Sequence, residues 1–162
     1  MPKQKVKIIR QEVPLPKNLS ASIENRLKLL QCRIEDFCVI SQNSNWYFKN
    51  SWIKQSGIAS LYLRRSIRLI PELTDSAVDY SLLQSKMSCT LDIAAIQVEP
   101  AYQRKGIGSY LVNLCHEIHP QRVTYVESVH NPILASWLER NGWKTQEDIR
   151  SCYYKIKEIE VL

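Results

Sequence analysis

The tightest constraint on how this chain folds lies in residues 91–118, where an apolar run, a turn carrying two glycines and a helical pattern succeed one another directly. Leu91–Val98 is mostly apolar and rich in strand-forming residues, the pattern of a buried strand. Apolar residues at 107, 111, 114 and 118 then recur at helical spacing through Ser109–Ile118. Between them stands Gln103-Arg104-Lys105-Gly106-Ile107-Gly108. Such a turn leaves several backbone N–H groups without an internal partner, facing one point at the positive end of the helix dipole. Gly106 and Gly108 have no side chains, so a ligand can approach the backbone closely. The turn is suited to a phosphate.

Two common phosphate motifs do not fit it. A dinucleotide fold needs G-x-G-x-x-G with an acidic residue about 20 positions on, and a P-loop needs G-x-x-x-x-G-K-[ST]. The turn has two glycines and no Lys-Ser or Lys-Thr behind them. A tight strand-to-helix turn with no ligand is the plain alternative, since short glycine motifs recur by chance.

The residues on either side of the turn narrow the choice. The Val98-Glu-Pro-Ala-Tyr102 approach and the Gln103-x-x-Gly106-x-Gly108 turn resemble the acetyl-CoA pyrophosphate loop of the GNAT superfamily, the acyl-CoA-dependent N-acyltransferases. Members of that family continue with a strand, an Asn that opens a helix and a Gly-aromatic pair that closes it. Here these are Val123–Val129, Asn131 ahead of Pro132–Arg140, and Gly142-Trp143. Asn131 is a good N-cap, Pro132 sits where the first helical N–H is dispensable, and Gly142 suits a left-handed C′ position. The resemblance covers about 91–143, roughly a third of the chain.

It implies a single N-acetyltransferase-like domain over 1–162 of mixed α+β class. The expected sheet is central, mixed and mostly antiparallel, with six to seven strands splayed at the acetyl-CoA site and about four flanking helices. The implied reaction moves an acetyl group from acetyl-CoA, as cosubstrate, to an amine on a small molecule or a protein. Ile96, Gln97 and Val98 would pair with the pantetheine arm as an added strand would. Gln103, Arg104, Lys105, Gly106, Ile107, Gly108 and Ser109 would hold the pyrophosphate, and Asn131 would reach the cofactor's amide region.

Amine acylation also needs a base, because a protonated amine has no lone pair to attack with. Asp92, eleven residues before Gln103, matches the spacing of the base in histone-acetylating members. Glu127 lies near where ribosomal-protein-acetylating members carry theirs. Either carboxylate has a plainer reading as an outward strand residue or an ion-pair partner. One departure stands out: seven residues after Asn131 the family usually has Tyr, whose hydroxyl protonates the departing thiolate, and here the residue is Leu138. Tyr125, Tyr153, Tyr154, Cys152 or water would have to replace it. Otherwise acid catalysis is dispensable, or the chain binds acyl-CoA without turnover.

Composition excludes other classes. At 162 residues, 44% hydrophobic and 23% charged, the chain is an ordinary globular domain with room for a substantial core. No apolar run approaches 18 residues and the basic start lacks an apolar stretch behind it, so the expectation is a cytoplasmic protein with no membrane partner, monomeric or homodimeric. Five cysteines without a C-x-x-C pair, with His116, His119 and His130, give no metal-ligand pattern, so no metal is expected. The cysteines are read as reduced and mostly buried. A net charge of +6 favours acidic ligands, which acyl-CoA is. Arg64-Arg65-Ser-Ile-Arg68, with Tyr62 nearby, is the densest basic cluster. A nucleic-acid-associated domain would use it, but a solvated strand or loop edge is the commoner meaning of a short basic run.

The remaining segments are less legible. Val6–Arg10 reads as a first strand, and Ser20 as the N-cap of a helix carrying Ile23, Leu27, Leu30 and Ile34. Phe37–Ile40 reads as a short strand, Trp46–Lys54 as a helix, Gly57–Leu63 as a strand with Ile67–Ile70 as its hairpin partner, and Thr74–Leu83 as helix or insertion. Tyr153–Ile156 reads as a last strand. Trp46, Tyr47, Phe48 and Trp52 are either ordinary core or partner-facing aromatics, or the lining of an acceptor pocket.

Overall fold

The computed structural model describes residues 6–43, 49–55, 57–67, 89–146 and 149–162. Helix α1, Ala21–Asn43, opens where Ser20 caps it, with Ile23 N–H donating to Ser20 Oγ at 3.3 Å. Leu27, Leu30, Ile34, Phe37 and Cys38 lie buried along one face. Phe37 and Cys38 continue the spacing of three and four from Ile34, so the expected strand at 37–40 is instead the last third of this helix.

Lys49–Gln55 forms strand β2, not the expected helix; residues 46–48 of that expectation lie outside the described set. Its burial alternates, with Ile53 inward and Asn50, Trp52 and Lys54 outward, which is the two-residue period of a one-sided strand. Strand β3 runs unbroken from Ala59 to Ile67 and pairs with β2 over Ala59–Arg65. The expected break before Ile67 is absent, because both halves of β3 pair with β4, Cys89–Val98. The expectations for 68–70 and 74–83 fall outside the described residues.

From β4 the chain passes through a single 3₁₀ turn at Pro100–Tyr102 into helix α2, Ile107–Ile118. It returns as β5, Val123–Val126, parallel to β4. Helix α3, Pro132–Arg140, then leads to β6, Lys144–Gln146, and β7, Ile149–Ile156. The six-stranded sheet has the order β2-β3-β4-β5-β7-β6, antiparallel except for the central β4–β5 pair. β1, Val6–Ile8, pairs separately with β8, Ile159–Val161. The mixed α+β class and six-stranded sheet match the expectation, with three α-helices among the described residues.

One sheet face carries the helices. Leu61, Leu63, Leu91, Ile93 and Val126 share a core with Leu27, Leu30 and Ile34 of α1, Ile107 and Leu111 of α2, and Leu138 of α3. On the opposite face Asn50, Arg64, Asp92, Tyr125 and Tyr154 form one row across five strands. No helix among the described residues is long and apolar enough to cross a membrane.

Candidate acyl-CoA site

β4 and β5 are paired over only Thr90–Ile93 and Val123–Val126, and the last link between them is Glu127 N–H to Ile93 O at 3.0 Å. There the chain turns away: Ser128 has φ +53°, and Val129 N–H donates to Ser151 O of β7 at 2.8 Å. Strand β4 instead continues against β3 alone. Its register shifts beside Tyr62 and Leu63, leaving Ala94 as the extra residue of a β-bulge. The β5-facing edge of 95–98 therefore has no strand partner among the described residues.

That edge borders a cavity of about 760 Å³. The far wall is the start of α2. Gly106, φ +77°, is its N-cap, in a left-handed conformation that residues other than glycine rarely adopt. Tyr110 N–H bonds to Gly106 O at 3.0 Å as the helix begins, so the amides before it face the cavity mouth as unpaired first-turn donors. Gln103 braces the turn by donating Nε2–H to Val98 O at 2.9 Å. A Cβ on Gly108 would stand 3.8 Å from Val98 Cγ2, which sets how closely helix and strand approach.

Ile96, Gln97, Val98, Gln103, Arg104, Gly106, Ile107, Gly108, Ser109 and Asn131 all line this one cavity. Lys105 does not; it turns to a neighbouring hollow, with its ammonium 5.6 Å from the Tyr102 ring centre. Arg104 and Arg140 supply positive charge and Glu99 opposes it. Asn131 caps α3 by accepting from Ile133 N–H at 2.9 Å. Its ring of neighbours includes Leu134 and Trp137, which sequence reasoning does not single out; the signal is their spacing of three along one helix face from Asn131.

Leu138 is fully buried in the core, while Trp137 faces the cavity. None of the alternative acids lines it. Tyr153 O–H donates to Glu139 Oε1 at 3.1 Å, Tyr125 stacks on Tyr154 with ring centres 5.5 Å apart, and Cys152 is buried. Tyr102 and Ser109 are the hydroxyl-bearing lining residues, and both stand at the phosphate-loop end.

The two carboxylates part company. Asp92 is fully buried and accepts a hydrogen bond from Thr90 Oγ1 at 2.8 Å. Glu127 sits at the apex of the strand split, 15% exposed and ion-paired with Arg64. The Arg64 cluster is thus more than a solvated edge. His116 Nδ1 and His119 Nε2 both bond Thr124 Oγ1, at 2.7 and 2.6 Å, in a buried polar group beneath α2. No three potential metal ligands cluster among the described residues.

Two parallel strands that part beneath a QxxGxG turn, with an Asn-capped helix opposite, are the GNAT-type arrangement that the sequence resemblance implies. No family model and no curated protein matches the chain. Among solved structures it is similar to AtaT complexed with acetyl-methionyl-tRNAfMet, at 10% identity and TM-score 0.44 over 95% of each chain. AtaTR bound with AcCoA gives 10% identity and TM-score 0.42, over 96% of this chain and 95% of that one. A GNAT family acetyltransferase from Listeria monocytogenes gives 12% identity and TM-score 0.35, over 98% and 95%. Likenesses this distant leave function to rest on the site itself.

Proposed function

We propose that the protein is an acetyl-CoA-dependent N-acetyltransferase acting on an amine. The observation that carries this is the coincidence of three features on one cavity: the free edge of β4, the amide-lined start of α2, and the Asn131 face of α3. A pantetheine arm has two amides, which pair with a strand edge as another strand would. Its pyrophosphate suits the amides of Gly106–Ser109, with Arg104 and Arg140 beside them. Free thiols at Cys32, Cys38, Cys115 and Cys152 fit a reducing cytoplasm.

In this reading the acceptor amine approaches the thioester from the sheet face opposite the helices. Glu127, at the apex of the split, takes a proton from the ammonium, and Arg64 holds the carboxylate in place. The neutral nitrogen attacks the thioester carbon, the C–N bond forms as C–S breaks, the nitrogen sheds its remaining extra proton to water, and the thiolate takes a proton from solvent. Asp92, buried and bound by Thr90, serves the sheet rather than the proton transfer.

A second reading, acyl-CoA binding without turnover, draws on Leu138 lying in the core and on a thioester end of the cavity with no hydroxyl acid among the described residues. Thermal shift with acetyl-CoA, CoA and NAD, then acetyl transfer to an amine panel read by mass spectrometry, separates the outcomes. Stabilisation by both CoA species with an acetylated product is expected. Stabilisation without product favours the second reading, and no response to either CoA species refutes both.

A further inference from the structure

The phosphate turn has a second hollow on its other side, about 700 Å³ in volume, within the roughly 300–1,000 Å³ of small-molecule sites. The hollow shares Arg104, Gly106, Ser109 and Trp137 with the cofactor cavity, so one ligand can run from the first into the second. Its outer wall is the strap that leads into α1, residues 13–18. A Cβ on Gly106 would stand 3.7 Å from Pro16 Cβ, so the strap rests on the turn itself. Lys17 of the strap, with Arg104 and Lys105 of the turn, gives the hollow three cations and no carboxylate among the described residues. The hollow at the far end of the strap has no such excess, because Arg10 and Lys28 there face Glu12, Glu35 and Glu117. The remaining walls are helical. Ser109 and Asn113 stand one turn apart on α2, and Trp137 and Asn141 one turn apart at the end of α3. Asn141 Nδ2 donates to Trp137 O at 2.8 Å, which fixes the carboxamide and leaves its oxygen to accept.

We propose that this hollow holds the adenosine 3′-phosphate of the CoA carrier and makes the protein selective for free CoA thioesters over donors that lack that group. The inference rests on the acyl-CoA reading of the adjoining cavity and goes beyond it in naming the carrier. Charge comes first. A phosphomonoester bears about −1.5 to −2 at neutral pH, and the ribose 3′-phosphate is the one such group CoA has beyond its pyrophosphate. Lysine and arginine are the side chains that bind it best. The Lys105 ammonium lies 5.6 Å from the Tyr102 ring centre, an exposed cation–π contact that a phosphate outcompetes. The base follows. Trp137 offers a ring face on which adenine stacks, and the Asn113 and Asn141 carboxamides match the paired donor and acceptor on its N6/N7 edge. A phosphopantetheine arm carried on a protein has no adenosine, so it leaves all of these contacts unmade.

Calorimetric titration of the full chain with CoA and with 3′-dephospho-CoA tests the subsite. Expected is an affinity for CoA about 10-fold above that for 3′-dephospho-CoA, the product of several exposed ion pairs worth up to about fivefold each. Lys17→Gln should cost CoA about 2–5-fold and leave 3′-dephospho-CoA unmoved. Lys17→Glu should cost CoA more, again with little change for the dephosphorylated carrier. The wild-type comparison needs no variant, so it decides the matter even if a substitution in the strap disturbs folding. Equal affinity for the two carriers in the wild-type chain, or Lys17 variants that weaken both alike, would overturn the subsite while leaving the cofactor cavity standing. Binding of neither carrier would refute the cofactor reading and this inference with it.

Discussion

The β4–α2 half and the β2–β3 half of the sheet meet at one strand, yet they make their surfaces in opposite ways. The first builds a pocket out of backbone: a free strand edge and first-turn amides, set by residues adjacent in sequence. The second builds its surface out of side chains brought together across strands, Trp52 with Tyr62 and Arg64 with Glu127, the latter 63 residues apart. A site made of backbone depends on where glycines and partner strands fall. One made of cross-strand side chains depends on register, and single substitutions erase it.

That contrast predicts its largest effect at Gly108. Its Cβ direction points to Val98 at ordinary contact distance, so Gly108→Ala should fold. Gly108→Leu must push into the cavity both residues line and should abolish acetyl-CoA stabilisation in a thermal-shift assay. Retained stabilisation in the leucine variant would show that the pyrophosphate sits elsewhere.

Next in size is Glu127→Gln, expected to lower kcat/KM by roughly 10²–10⁴, the usual worth of a general base. Acetyl-CoA stabilisation should be unchanged. Asp92→Asn should instead lower the melting temperature with a smaller kinetic effect, because it alters a buried, hydrogen-bonded group. Wild-type rates in both variants, with a verified acceptor, would remove carboxylate catalysis from the mechanism.

The helix face behind the cofactor half should announce itself through pH. Lys157 is buried, with its ammonium on the carbonyls of His119 and Gln121, and burial with nearby Arg10 pushes it down to about 7. Between there and its ordinary value of 10.5 the unfolded chain holds a proton the native state has released. Stability should therefore rise from pH 7 toward 10. Burial also holds His116 down at about 3 and His119 well below normal, so stability should fall as pH drops below 6.5. Thermal melts across both windows check this, and Lys157→Met should flatten the upper one.

The smallest effect concerns the missing acid. Leu138→Tyr would overfill the core at a cost of about 1–3 kcal/mol without reaching the cavity. Trp137→Tyr places a hydroxyl on the cavity side. A faster rate with Trp137→Tyr would mean thiolate protonation limits turnover; an unchanged rate would mean solvent suffices.

Legibility runs along the same divide. Ser20, Asn131 and the Gly106–Gly108 turn are readable because each acts within a few residues of itself. Phe37-Cys38 misleads because a short apolar run fits a strand or a buried helix face, and only contact with the sheet decides. Trp52 misleads for the converse reason: on a half-exposed edge strand, sharing its outward face with Asn50 and Lys54, it carries little strand signal until β3 lies beside it. Glu127 stands out in the sequence, but its partner Arg64 is visible there only as part of a basic run.

The bulge at Ala94 has a consequence for how such a chain could decay. It switches the inward set of β4 from Leu91 and Ile93 to Ile96 and Val98, and so puts apolar side chains beneath the glycine turn. Deleting that one alanine would keep Gln103–Gly108 and Asn131 letter for letter. Ala95 would then follow Ile93 opposite Tyr62 in an unbroken ladder, and every residue up to the turn would keep its face. Such a descendant would retain the QxxGxG signature and its inward side chains while losing the bend that a bulge puts into β4 where it leaves β5.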